Sequence, residues 1–146
     1  MRLDTLTIEN VIKELGNNYK IVEWGNYSYE YHYPKIGISF WFKQADRNKR
    51  IISISAYSDK FFGKTSSGLK FSKNTTLKDI IIVYGNPKWE YPKDDDVVDA
   101  EYEDIGIYFS FKKVMEEKDV PLNKETEIYL NKNPVELVIG RIGTAY

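Results

Sequence analysis

Residues 36–43, IGISFWFK, return 69 positions later as IGIYFSFK at residues 105–112, and no other feature constrains the fold of this chain as strongly. At the same offset Thr7, Gly16, Asn17 and Tyr33 recur as Thr76, Gly85, Asn86 and Tyr102. A chain that spells one supersecondary unit twice is expected to build it twice, so each copy informs the reading of the other.

The first block of each copy reads as a helix. Ile8, Val11, Ile12 and Leu15 stand at i, i+3, i+4 and i+7, and Leu77, Ile80, Ile81 and Tyr84 repeat the spacing, which lays one apolar stripe along each segment. Thr7 and Thr76 are placed to accept from an orphan amide as N-caps, and Asp79 completes a Thr-x-x-Asp capping box. Gly16 and Gly85 supply the residue that leaves the helix with positive φ. Alone, the β-branched run 80–83 has the propensity of a strand; its copy VIKE does not, and the pair predicts helix.

The next blocks alternate with period two. In YSYEYHY, Tyr27, Tyr29, Tyr31 and Tyr33 are expected on one face and Ser28, Glu30 and His32 on the other. A Pro34-Lys35 link leads into Ile36, Ile38, Phe40 and Phe42, with Ser39 and Trp41 facing the opposite way. IISISAY follows, with Ile52, Ile54 and Ala56 on its apolar side. The second copy places Val98, Ala100 and Tyr102 inward, turns at Glu103-Asp104, continues through Ile105, Ile107, Phe109 and Phe111, and ends in VELVIGRI. Aromatic residues make up 15% of the chain, which suits a pleated sheet with large rings on it. The expected fold class is α+β: two tandem helix-plus-antiparallel-meander repeats, with helices packed on one face of the sheets. The expected organisation is a first repeat over 1–60, a linker over 61–74 carrying one short strand at 69–71, and a second repeat over 75–146 with an insertion at 114–134. One helix on three or four strands makes a thin core, so the units are expected to pack or join into one body.

The pattern Thr-x-x-x-Ile/Val-Ile, Gly, then a Phe-x-Phe strand, in two copies, resembles the tandem-repeat family of the beta-lactamase inhibitory protein, and more distantly the small lipoprotein of the outer-membrane barrel-assembly machinery. The resemblance implies helical segments packed on antiparallel sheet and an aromatic sheet surface that clamps a protein partner. In that inhibitor each unit carries a disulfide, whereas this chain has no cysteine. The family's inhibitory hairpin uses an aspartate beside a ring, where this chain has Pro34-Lys35. The clamp-like architecture therefore carries over and beta-lactamase inhibition does not.

Charge and composition narrow the function classes. Twenty-one basic and 22 acidic side chains give a net charge of −1, so no broad field attracts nucleic acid. The absence of cysteine excludes thiol nucleophiles and thiolate metal sites. No run approaches the ~20 apolar residues that span a bilayer, so membrane insertion is not expected. The N-terminus lacks a leader's apolar core; the chain as it stands reads as cytoplasmic, and an exported chain whose leader has been cleaved reads the same way.

Several motifs invite chemistry and decline it. FFGKTS lacks the first glycine of a phosphate loop, Ser58 standing in its place. His32, the single histidine, lies near Glu30 and several serines, which makes a small hydrolase the third reading, although a flat strand supplies no oxyanion donor. The acidic run 94–104 lacks the spacing of a helix-loop-helix calcium site and reads as a solvated loop or a lure for a basic partner patch. Trp24 and Trp89 lie near bends, as core plugs or surface rings. Neither cofactor nor metal is expected.

Trp41 and Tyr108 oppose the Ile/Phe stripe of their strands and are expected to point to solvent, where such rings concentrate binding energy. The leading expectation is a non-enzymatic binding module of inhibitor or immunity type. It would engage another protein through Trp41, Tyr108, His32, Glu30, Tyr57, Asp99 and Glu101, aided by the insertion. An envelope or surface protein with a structural or ligand-binding role is the alternative.

Overall fold

The computed structural model describes residues 5–140. They form a mixed α+β fold of three helices and a large antiparallel sheet of eight strands. In chain order the first half comprises α1 (Ile8–Leu15), β1 (Lys20–Trp24), β2 (Ser28–Tyr33), β3 (Ile38–Lys43) and β4 (Ile51–Tyr57). A two-stranded ribbon, β5 (Gly63–Lys64) with β6 (Lys70–Phe71), follows. Next come α2 (Leu77–Tyr84), β7 (Lys88–Glu90), β8 (Val97–Tyr102), β9 (Ile107–Lys112), α3 (Glu125–Tyr129) and β10 (Glu136–Gly140). The sheet order is β1-β2-β3-β4-β10-β9-β8-β7, so the halves join edge to edge where β4 pairs antiparallel with β10.

The two longer helices start and stop alike. Thr7 and Thr76 are the N-caps, each closing a capping box, with Asn10 doing in α1 what Asp79 does in α2. Gly16 and Gly85 end them at φ 82°, a backbone geometry that only glycine adopts cheaply. Tyr33 donates its hydroxyl to the Gly16 carbonyl (3.0 Å) and Tyr102 to the Gly85 carbonyl (2.7 Å). At the other end, the first helical amide of α1 donates to the Lys49 carbonyl and that of α2 to the Lys132 carbonyl.

Two buried clusters form the core. Ile8 and Val11 share one with Tyr33, Phe40, Phe42 and Ile51. Leu77 and Ile80 share a larger one with Val98, Ala100, Phe109, Phe111 and Leu137. Each fully buried large apolar side chain contributes roughly 1.5–3 kcal/mol, so the larger cluster carries more of the stability.

Several expectations give way to the structure. β1 and β7, the outer strands, are additions to the expected meanders. Tyr27 is 75% exposed in the turn between β1 and β2, not on the apolar face of a strand. Ile36 and Ile105 precede β3 and β9 in turns and are exposed, because Gly37 and Gly106 take φ 65° and reverse the chain there. A side chain on Gly37 would also stand 2.5 Å from Cβ of Lys60. A register shift between Trp41 and Phe42 brings Ile51, rather than Ile52, opposite Phe42 and into the core, as a bulge does. The segment expected as a linker with one strand contains both strands of the ribbon and sends Leu69 and Phe71 into the larger cluster. The final strand is described to Gly140; Arg141 and Ile142 lie outside the described residues.

The insertion at 114–134 carries α3, whose Tyr129 is 0% exposed against Trp89 and Phe111. Its last residues cap α2: the Leu77 and Lys78 amides donate to the carbonyls of Lys132 and Leu130, and the Asn133 amide to that of Thr75. The Leu77 and Lys78 bonds satisfy donors that a helix N-terminus otherwise leaves orphaned, and the Asn133 side chain ties down the residue before the N-cap.

Candidate functional site

Strand alternation decides which side chains stand opposite the core. β2 contributes Ser28, Glu30 and His32, β3 Ser39 and Trp41, and β4 Ser53, Ser55 and Tyr57; β10 adds Glu136 and Val138, β9 Tyr108 and Ser110, and β8 Asp99 and Glu101. At its centre this second face is polar, yet Ser39, Ser53, Ser55, Ser110, Glu30 and Asp99 are all buried. Buried polar groups of this kind are costly unless hydrogen-bonded, and Glu30, Ser39, Ser55, Asp99 and Ser110 all are.

Glu30 holds the first network. One carboxylate oxygen accepts from the Trp24 indole (3.1 Å) and the other from the Ser39 hydroxyl (2.6 Å). The Ser39 hydroxyl oxygen also stands 2.8 Å from Nδ1 of His32, a hydrogen bond whose donor is set by the imidazole tautomer. The His32 ring meets Tyr57 edge-on. Burial, followed by the negative charges of Glu136 and Glu30, pushes the Tyr57 hydroxyl up to about 12 despite hydrogen bonds with Ser39 and Ser55. Across the seam Ser110 donates to Asp99 at 2.6 Å. Glu30 and Asp99 are 69 residues apart, at matching places in β2 and β8.

Three carboxyls on this face bind protons more readily than ordinary ones. Burial is the largest cause for Asp99, Glu101 and Glu136, and neighbouring acids add to it in each case. Among the described residues no salt bridge reaches Glu30, Asp99 or Glu136. Glu101 lies towards the sheet edge, where it converges with Glu90 and Glu103. Lys88 bridges the latter two at 3.2 Å each, placing an ammonium among the three acids.

Two cavities open on the face. The first, about 360 Å3, has walls of Trp24, Tyr27, Trp41 and Tyr108, and Glu136 also lines it. Trp24 and Trp41 stand with ring centroids 5.6 Å apart. The second, about 540 Å3, is lined by Glu30, His32 and Tyr57 together with Lys20 and Asp59. The expected residues are thus sorted rather than gathered. Trp41 and Tyr108 share the first cavity, half-buried instead of projecting freely; Glu30, His32 and Tyr57 share the second; Asp99 lines neither, and Glu101 lines a separate edge cavity with Lys88 and Glu103.

No family model, curated protein or solved structure matches the chain. The geometry of the face therefore carries the functional argument by itself.

Sequence reasoning left out Tyr27 and Glu136 as site residues, and Trp24 as anything sharper than a ring near a bend. Trp24 ends β1 and pairs with Ser28 across a turn at Gly25, which sets it on the same face as Glu30. The signal for Glu136 was its place as the lone acid in VELVIG, where alternation sends it away from Leu137 and Ile139. Trp89 is the plug: its indole donates to Thr126 and its ring packs on Phe111 and Tyr129.

Proposed function

We propose that the protein is a non-enzymatic binding module of inhibitor or immunity type, gripping a partner protein with the sheet face opposite its core. The observation that carries this reading is the cavity of about 360 Å3, walled by two tryptophans and two tyrosines on a floor of buried serines and an acid. Aromatic anchors around a desolvated centre are the common form of an interface hot spot. The Trp24 indole is tied to Glu30 and its ring packs beside that of Trp41, so these two walls are held before anything binds, and preorganisation of this kind lowers the entropic cost of association.

The face belongs to a duplicated unit in this reading. Matched caps, matched tyrosine-to-glycine bonds and matched helix-start bonds all support duplication, as does the antiparallel β4–β10 seam, in which Ile54 faces Ile139 while Ala56 faces Leu137. A two-fold axis through the seam exchanges those two pairs. This is the arrangement implied by the resemblance to the tandem-repeat inhibitors, with helices on one side and the gripping surface on the other.

Hydrolysis is disfavoured by burial: Ser39, the serine beside His32, is 0% exposed and its hydroxyl donates to Glu30, which leaves its oxygen out of a substrate's reach. The walled cavity also fits the alternative ligand-binding role, since its volume lies within the range of small-molecule sites.

Affinity capture from the native organism tests the proposal. Trp41→Ala and Tyr108→Ala are expected each to weaken capture by about 30-fold or more, the scale of a hot-spot residue. Ile82→Ala, an exposed position on α2, should capture as the parent does. Undiminished capture by both aromatic variants would reject this surface.

A further inference from the structure

We infer that the cavity walled by Trp24, Tyr27, Trp41 and Tyr108 is a receptor for a single organic cation, the side chain of a lysine or arginine presented by the partner protein. The inference rests on the binding-face reading above and states what that face takes.

Four electron-rich rings line one space, and two of them are indoles with centroids 5.6 Å apart. Ring faces attract cations, tryptophan most strongly, and more so when water is excluded. The walls alone would also accept a neutral apolar group, so the acids decide. Glu136 lines the same cavity and is hydrogen-bonded to Ser55, a neutral group, and among the described residues no salt bridge compensates its charge. Glu30, which takes the Trp24 indole proton, lies behind the wall and adds to the negative potential at Glu136, as does Asp99. The lysines that share this face, Lys20, Lys43, Lys88 and Lys112, stand on the outer strands or at strand ends, Lys43 opposite Ser28 at the end of β3, and among the described residues none forms a salt bridge with Glu136 or Glu30. Rings, a carboxylate and unbalanced negative charge coincide in one cavity, and a positive group resolves all three.

Side-chain mimics test the inference. The chain holds three tryptophans, so nitrogen-15 labelling gives three indole N–H signals, two from the cavity and one from Trp89, which is partly buried against the larger cluster. Titration with N-acetyl-lysine methylamide and N-acetyl-arginine methylamide should move the Trp24 and Trp41 signals and leave that of Trp89. The neutral N-acetyl-norleucine methylamide should bind about ten-fold more weakly or not at all, and Glu136→Gln should weaken the cationic probes by about ten-fold. Trp41→Phe, which keeps a ring, should bind measurably and Trp41→Ala should not, with thermal melting confirming that both fold. Equal binding of norleucine and lysine mimics, equal movement of Trp89, or the absence of any shift would overturn the inference. Binding of choline alone would overturn the side-chain source. Partner capture that survives Glu136→Gln but is lost in Trp41→Ala would overturn the cation and leave the binding face standing.

Discussion

At the scale of single residues, the unusual feature is a row of acids placed where water is scarce. A carboxyl whose folded pKa is raised binds protons more readily folded than unfolded, so its contribution to stability grows as pH falls. Asp99, Glu101 and Glu136 all shift upward, from ordinary values of 3.8 for Asp and 4.5 for Glu. Between those ordinary values and the higher folded ones the native state holds the extra protons, and stability rises on acidification through that window. Asp46 pulls the other way, held low chiefly by its hydrogen bond with Arg50, but its effect enters only as pH falls below 3.8. Urea midpoints should therefore be higher at about pH 5 than at about pH 7, and Glu136→Gln should flatten the difference. A midpoint that falls over the same interval would contradict the description of this face.

At the scale of elements, the helices were legible in the sequence because two weak signals were read together. The run 80–83 favours a strand by propensity, and its copy in 11–14, which has no such propensity, made the helical spacing that both segments share decisive. β2, β3, β8 and β9 were legible from alternation, since one face of each carries the apolar and aromatic side chains that join the clusters and the other a mainly polar set. β1 was not: all five of its residues are exposed, so burial imposes no apolar pattern on an outer strand. The bulge at Trp41 escaped for a related reason, because Ile51 and Ile52 are both apolar and either satisfies the pattern. The helix inside 114–134 was not legible because five residues contribute just two large apolar side chains, Ile128 and Tyr129, too few to show a period. Those two residues nevertheless hold the segment down. Tyr129→Ala should cost about 3–5 kcal/mol in urea unfolding, as expected for truncating a fully buried ring. A cost near zero would return the segment to the status of a surface loop. Tyr129→Phe separates the ring from its hydroxyl, which accepts from the Val114 amide at 3.2 Å, and should cost about 1 kcal/mol.

At the scale of the molecule, the β4–β10 seam determines whether two halves behave as one body. Backbone pairing along five residues of each strand joins them, and Ala56 of β4 lies in the cluster built mainly from the second half. Trp24 and Trp41 report on the first half and Trp89 on the second, so unfolding followed through variants that keep one or the other should give coincident single transitions. Two separated transitions would mean that the seam is weaker than either half. A continuous seam also explains why the candidate site exists at all. The cavity draws Trp24, Tyr27 and Trp41 from one half and Tyr108 and Glu136 from the other, so neither half holds it complete.

The central claim is that the sheet face opposite the core is the gripping surface, and hydroxyl-radical footprinting of the captured complex tests it most directly. With partner bound, Trp24, Tyr27, Trp41 and Tyr108 should lose reactivity, while Phe62, Ile82 and Leu122, exposed outside that face, should react as they do in the free protein. Protection of Phe62, Ile82 or Leu122 with the four cavity rings still reactive would contradict the account.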